Sequence, residues 1–113
     1  MKNSFEEFSM EQYRIDFESM ACESPAEGVR CKVYEQGGRK LRLVEFSKEF
    51  VEPDWCTKGH VGYILDGQME IDFDGNKEVF GPGDGVFIPP GRQHKHKGRV
   101  LTEKLKAILV EDV

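Results

Sequence analysis

The stretch that decides the fold is residues 83–94, which read GDGVFIPPGRQH. Its first three residues, Gly-Asp-Gly, are typical of a tight turn because glycine adopts positive φ without steric cost. The apolar residues 86–88 follow and predict a short buried strand. The prolines at positions 89 and 90 then end this strand, because proline has no N–H to donate to a strand ladder.

The same signals recur on both sides of this stretch. Asp66-Gly67 and Asp74-Gly75 separate apolar runs, which indicates β-hairpins because such turns need residues that tolerate positive φ. The two glycines at 37–38 predict a further turn. Short strands joined by glycine-rich turns favour an all-β sandwich or barrel.

Alternation of side chains gives the remaining elements. Residues 29–34 and 41–46 alternate between two faces, and residues 101–110 predict a last long strand. Residues 23–28 (ESPAEG) read as a loop. A capping-box pattern predicts a short helix around residues 4–12. No segment has the length of a crossover helix, which argues against a parallel α/β sheet.

Composition and charge narrow the class of protein. The chain has 113 residues, 38% of them hydrophobic, which suits one domain with one core. A net charge of -5 argues against nucleic acid as a partner, because phosphate contacts need a basic face. No apolar run approaches the roughly 20 residues of a membrane span, and the N-terminus lacks a secretory signal. Three cysteines without a pairing pattern fit the cytoplasm.

Two motifs resemble those of the cupin superfamily, and the second along the chain is the clearer. The family pattern G-x5-P-x-G-x2-H-x3-N is matched by Gly83, Pro89, Gly91 and His94. The match ends there, because Gly98 occupies the position of the asparagine.

The spacing of the first cupin motif, G-x5-H-x-H-x3,4-E-x6-G, is retained in this chain, but different residues occupy its metal-ligand positions. Counting back from Gly67, His60 occupies the glutamate position, Cys56 the second histidine position and Asp54 the first. Lys48 replaces the leading glycine. The resemblance covers about residues 41–98 and implies a cupin-type double-stranded β-helix, or jelly-roll barrel.

This resemblance sets the expected organisation of the chain. Residues 1–113 form a single cupin-like domain, with an N-terminal arm and loop at 1–28, including a short helical segment, and the β-barrel at 29–113. We also expect a homodimer, since two-fold dimers are the commonest soluble oligomers.

The resemblance also implies that four positions, three of them substituted and His94 retained, converge inside the barrel. Asp54, Cys56, His60 and His94 would supply an oxygen, a sulfur and two nitrogen ligands, a set that favours zinc or iron over magnesium or calcium. A structural interpretation stays open for each: hydrogen-bonded histidines, a small buried cysteine and a turn-capping aspartate.

Three neighbours complete the candidate pocket. His96 lies two residues beyond His94, so on a strand both would face the same side, and His96 could be an extra ligand, a partner of a ligand or a proton donor. Trp55 lines the pocket or a subunit contact. Tyr63 is a weaker pocket candidate, because by alternation from His60 it need not face inward.

Two functions follow from the resemblance. The first is a metal-dependent cupin enzyme, such as a dioxygenase or an isomerase, acting on a small polar metabolite in the barrel. The alternative is a non-catalytic metabolite-binding cupin that lacks a metal. The sequence leaves open which of them applies, because fold analogy does not choose a reaction.

Overall fold

The computed structural model describes residues 13–112. Strands make up more than half of this part of the chain, and its helical content is limited to short 3-10 turns, the first at Phe17–Ser19. The helix predicted around residues 4–12 lies outside the described residues. The strands are β1 (Glu23–Ala26), β2 (Val29–Gln36), β3 (Arg39–Ser47), β4 (His60–Asp66), β5 (Met69–Phe73), β6 (Asn76–Phe80), β7 (Gly85–Ile88), β8 (Lys97–Val100) and β9 (Lys104–Asp112).

The strands form two antiparallel sheets. The larger has six strands in the order β1-β2-β3-β9-β4-β7, and the smaller has three in the order β6-β5-β8. The predicted all-β jelly-roll architecture is confirmed. No helix within residues 13–112 has the length and apolar character needed to cross a bilayer.

The turns lie where glycine predicted them. Gly67 has φ +82°, and a Cβ at this position would lie 2.1 Å from the carbonyl oxygen of Lys104. Only glycine combines this backbone conformation with so close an approach of β9. Asp74 and Gly75, at the next predicted hairpin, also have positive φ.

The loop predicted at residues 23–28 is wrong. Residues Glu23–Ala26 form β1, which pairs antiparallel with β2 so that Ala26 lies opposite Val29. All four residues of β1 are exposed. Because neither face of this edge strand is buried, its sequence carries no alternation, and only its pairing with β2 defines it.

The core lies between the inner faces of the two sheets. Leu105, Ala107 and Leu109 of β9 are buried, which confirms the face predicted for the last strand. Ile64 of β4 and Val44 of β3 are at most 1% exposed. Burial of side chains of this size stabilises the fold by roughly 1.5–3 kcal/mol each. The same inner faces carry the polar residues described next.

Candidate metal centre

A cavity of about 270 Å³ lies inside the barrel, between the two sheets. Most of its walls are aliphatic or aromatic side chains. Four residues with ionisable side chains also line it: Arg42, Glu52, His60 and His96. A mostly apolar cavity with a few convergent polar groups is typical of a small-molecule site.

Cys56 and His96 are held together by their backbones. The Cys56 N–H donates to the His96 carbonyl at 2.8 Å, and the His96 N–H donates to the Cys56 carbonyl at 3.0 Å. Residues that exchange both hydrogen bonds in an antiparallel pair place their side chains on the same face. This isolated bridge therefore fixes the thiol beside the imidazole, although the two residues lie far apart in sequence.

His60 brings the third donor from the first residue of β4. Strand alternation places it on the same side as the fully buried Ile64. The His60 Nε2 atom lies 3.8 Å from the Cys56 Sγ, and the His60 and His96 rings are 5.2 Å apart at 76°. The ligand atoms of Cys56, His60 and His96 all lie within 4.8 Å of one another.

Hydrogen bonds select the same tautomer for both histidines. The Nδ1–H of His96 donates to the carbonyl oxygen of His94 at 3.0 Å, and the Nδ1–H of His60 donates to Glu111 Oε2 at 2.8 Å. A carbonyl oxygen and a carboxylate oxygen have no proton to donate, so Nδ1 carries the proton in both rings. The lone pair of each neutral imidazole therefore lies on Nε2. Metal-binding histidines are held by carbonyl or carboxylate partners in this way.

Glu111 also accepts a hydrogen bond from a guanidinium. Its Oε2 accepts from the Arg42 Nη2 at 2.9 Å in addition to His60. Burial by itself raises the pKa of the Glu111 carboxyl, but the hydrogen bonds and charges of His60 and Arg42 outweigh burial and lower this pKa to about 2. Glu111 is therefore ionised at neutral pH and anchors both side chains.

Two buried side-chain nitrogens have no hydrogen-bond partner within residues 13–112. They are His96 Nε2 and Arg42 Nε, and both residues line the cavity. Buried polar atoms are nearly always paired, so each unpaired one needs an explanation. His96 is only 2% exposed, and its free lone pair fits a bound cation.

The predicted ligands Asp54 and His94 do not belong to this group. Asp54 is exposed, and His94 ends a 3-10 turn over Arg92–His94. The expectation that His94 and His96 share one face of a strand is wrong, because β8 begins only at Lys97. The turn separates the two side chains, and His94 contributes its carbonyl oxygen to His96 instead. The four-residue ligand set stays a prediction.

Trp55 and Tyr63 lie outside the cavity lining. The ring of Trp55 is 37% exposed, and the ammonium groups of Lys95 and Lys97 lie 5.1 and 4.7 Å from its centroid. Tyr63 is 46% exposed on the outer face of β4, as alternation from His60 indicates.

Sequence reasoning missed Arg42, Glu52 and Glu111 as site residues. Arg42 shares the inner face of β3 with Val44, so a charge on a buried face was a usable signal. Glu111 lies on the same face of β9 as the buried residues, because every second residue of that strand points to this face. Nothing in the sequence indicated Glu52, whose Oε1 accepts from the Gly98 N–H at 2.9 Å.

Comparison with known proteins defines the family. The family model described as "Cupin domain" matches residues 52–111, slightly more than half of the 113 residues. The chain belongs to the cupin family. This cupin also resembles many solved cupin structures. No curated protein sequence matches it.

Three solved structures illustrate the likeness. An RmlC-like cupin from Shewanella frigidimarina has 21% identity and a TM-score of 0.65, over 84% of this chain and 85% of the other. The sugar phosphate isomerase SPO2919 from Silicibacter pomeroyi has 14% identity and a TM-score of 0.68, over 86% and 73%. The polyketide cyclase RemF from Streptomyces resistomycificus has 21% identity and a TM-score of 0.68, over 88% and 78%. At these identities the likeness shows the fold alone.

The donor set of this cupin fits a metal ion. Cys56, His60 and His96 are close enough to hold one. The His60 Nε2 faces the Cys56 thiol at 3.8 Å, and the His96 Nε2 is buried without a partner among residues 13–112. Thiolate and imidazole donors match zinc and the softer transition metals.

Proposed function

We propose that this cupin is a metal-dependent enzyme that acts on a small molecule bound in the barrel cavity. The observation that carries the proposal is the convergence of Cys56, His60 and His96 at the cavity. His60 and His96 themselves line the cavity wall. A metal held there would be reached by a molecule inside the cavity.

The number of donors favours catalysis over a structural role. Structural zinc sites use four protein ligands, whereas catalytic sites use three and leave a position for substrate. Within residues 13–112, the group of close donors has three members. We propose zinc or iron as the metal, because one sulfur and two nitrogen donors suit both.

Each part of the site has a separate task. When bound, such a metal acts as a Lewis acid that polarises a substrate oxygen. Glu111 and the His94 carbonyl hold the two imidazole rings in place. The apolar walls, among them Phe46 and Leu105, exclude water and strengthen electrostatic interactions in the cavity.

The similar structures support an enzyme without defining its reaction. One is named a sugar phosphate isomerase and another a polyketide cyclase, so this fold accommodates different chemistry on small molecules. The mostly apolar walls of the present cavity favour a molecule with an apolar body and a polar end.

The proposal also covers the cellular location, the domain organisation and the oligomeric state of the protein. We place it in the cytoplasm, where a reducing environment keeps the Cys56 thiol available. Residues 1–113 act as one domain. The chain forms a homodimer through the exposed apolar side chains of β4 and the edge strand β7, including Val61 and Phe87.

Cobalt substitution tests the site. Titration of the metal-free protein with Co²⁺ gives a thiolate-to-cobalt charge-transfer band, which Cys56→Ser abolishes and Cys22→Ser retains. Added azide or acetate changes the ligand-field spectrum, because one coordination position is open. A protein without the band contradicts the metal site. A band that added ligands leave unchanged contradicts the catalytic role and indicates a closed structural site.

A further inference from the structure

Arg42 projects from β3 into the wall of the cavity with part of its hydrogen-bonding capacity unused. Its Nη2 donates to Glu111 at 2.9 Å, and its Nε is buried without a partner among residues 13–112. A guanidinium has five N–H donors in a planar fork and is always charged. The free Nε–H of Arg42 therefore needs an acceptor, and an anionic one matches it best.

The two unpaired buried nitrogens of the cavity have opposite chemistry. His96 Nε2 offers a lone pair to a cation, whereas Arg42 Nε offers a cationic N–H to an anion. The cation-binding and anion-binding groups are also close in space, because one oxygen of Glu111 contacts both Arg42 and the metal-site residue His60. A single small molecule can therefore contact both Arg42 and a metal held by His96.

The remaining walls set the orientation and size of such a molecule. The Glu52 side chain lines the cavity but offers no donor to a ligand carboxylate, whereas Arg42 does, so the acid end of the ligand lies at Arg42. Phe46, Phe50 and Leu105 offer only apolar contacts. A volume of about 270 Å³ limits the ligand to a small molecule.

We infer that Arg42 is the anion-binding residue of the cavity. The ligand is a small organic acid whose carboxylate pairs with Arg42 and whose neighbouring oxygen faces Cys56, His60 and His96. The inference rests on the proposed function for the identity of that second contact. A planar carboxylate fits one guanidinium edge, which is why a carboxylic acid is the class chosen.

The test compares acids with their neutral amides. Isothermal titration calorimetry measures the binding of pyruvate, α-ketoisovalerate and α-ketoisocaproate, and of the three matching primary amides, to the zinc-loaded protein. Both series keep the same keto oxygen and differ in the group beside it, which is an anionic carboxylate in the acids and a neutral amide in their partners. We expect at least one acid to bind about tenfold or more tightly than its amide, as one charge-assisted pair provides.

Variants then assign that preference to Arg42. Arg42→Met reduces the preference for acid over amide to within about twofold, and Arg42→Lys, which keeps the charge without the fork, gives an intermediate value. Arg30→Met, the same change at an exposed arginine of β2, keeps the full preference. Circular dichroism and zinc content establish that each variant is folded and loaded. If Arg42→Met does not fold, the wild-type comparison and Arg42→Lys carry the test.

The outcomes separate this inference from the proposed function. Equal binding of every acid and its amide overturns the inference, as does an acid preference that Arg42→Met and Arg42→Lys both retain. The titrations are repeated on protein treated with a chelator. A protein that holds no zinc but still prefers acids through Arg42 contradicts the metal site and supports the inference. A protein that holds zinc but shows no preference for acids supports the metal site and contradicts the inference.

Discussion

Glu111 joins two side chains that lie 69 and 51 residues away in sequence, Arg42 and His60. Its side chain is 12% exposed, so the pairs are shielded from solvent screening. A single carboxylate thus fixes both the ring of a metal-site histidine and the guanidinium of the cavity. Loss of this carboxylate affects stability as well as the site.

The depressed pKa of Glu111 predicts a pH-dependent contribution to stability. The pKa falls from 4.5 to about 2 on folding, so the stabilisation is complete above pH 4.5 and is lost as the pH falls toward 2. Glu111→Gln lowers the free energy of unfolding near pH 7 by on the order of 2–3 kcal/mol, and the difference narrows below about pH 3. Urea unfolding at both pH values measures it.

Glu78→Gln provides the control, because Glu78 is an exposed residue of β6. This variant matches the wild type within about 0.5 kcal/mol at either pH. A Glu111→Gln protein with the same loss of stability near pH 7 and below about pH 3 contradicts the ion-pair account.

The ligand histidine shows how far the sequence determines the site. Spacing within the family pattern selected His94, but the backbone between Pro90 and Lys97 forms a 3-10 turn before it becomes a strand. Whether position 94 or 96 faces the cavity depends on this turn and on the bridge to Cys56. These are long-range backbone contacts, so counting residues from a motif does not reveal them.

At the level of elements, Gly62 allows β9 to pack closely on β4. A Cβ at Gly62 would lie 2.1 Å from the Ile108 carbonyl oxygen, which is backbone that has no room to move. We expect Gly62→Ala to destabilise the protein by about 1–3 kcal/mol through overpacking. Gly85→Ala, where the nearest contact is an ordinary 3.8 Å, stays within about 1 kcal/mol of the wild type. Equal thermal midpoints for the two variants contradict this prediction.

Trp55 connects the two backbone segments of the metal centre from outside. It precedes Cys56, and the two lysines that contact its ring, Lys95 and Lys97, flank His96. Partly exposed cation–π contacts contribute about 0.5–1 kcal/mol each. The ring therefore fixes the thiol relative to the imidazole without touching the cavity.

Trp55→Leu tests this positioning role. We expect zinc affinity to fall by about three- to tenfold, as the loss of one or two such contacts predicts. Competition with a chelating dye measures the affinity, and Tyr63→Leu, a change at an exposed aromatic of β4, is the control. Unchanged zinc affinity in Trp55→Leu shows that the lysine contacts do not position the site.

Elements were predictable where a local signal exists. The hairpins at Asp66-Gly67 and Asp74-Gly75 were identified correctly, because turn chemistry acts within a few residues. β1 was missed because its four exposed residues depend on pairing with β2. A strand can thus be predicted from sequence when one of its faces is buried. When neither face is buried, the strand depends on tertiary contacts that the local sequence does not reveal.

For the whole molecule, the outer face of β4 and β7 carries an exposed apolar cluster. Val61, Tyr63 and Leu65 are 40–46% exposed on alternate positions of β4, and Phe87 is 77% exposed on β7, paired with Val61. Among residues 13–112, β7 is also an edge strand of the six-stranded sheet. Contiguous exposed apolar side chains on an edge strand are typical of an interface.

Phe87→Asp tests the proposed homodimer. A charge at the centre of a buried contact is costly, so this variant is expected to be monomeric at concentrations where the wild type is a dimer. Light scattering coupled to size exclusion measures the mass. Val79→Asp, a change at another exposed apolar residue away from β4, leaves the dimer intact. A monomeric wild type, or a dimeric Phe87→Asp, contradicts the proposal.

The barrel as a whole was predictable from the glycine and proline skeleton, whereas its interior chemistry was not. The cavity combines Arg42 and Glu52 from distant parts of the chain with the histidines, and Glu111 holds Arg42 and His60. Only closure of the two sheets brings these groups together. The hydrogen bonds between these side chains also determine which nitrogen atoms remain available to a ligand.

The measurement that tests the central claim most directly is the metal content of untagged protein, purified without chelators, for the wild type, His96→Ala and His94→Ala. We predict about one zinc or iron per chain in the wild type and in His94→Ala, which keeps the carbonyl that holds His96. His96→Ala retains less than about a tenth of this metal, since it loses a buried ligand. A wild type that stays metal-free after incubation with these ions, or a loss confined to His94→Ala, contradicts the assignment of Cys56, His60 and His96.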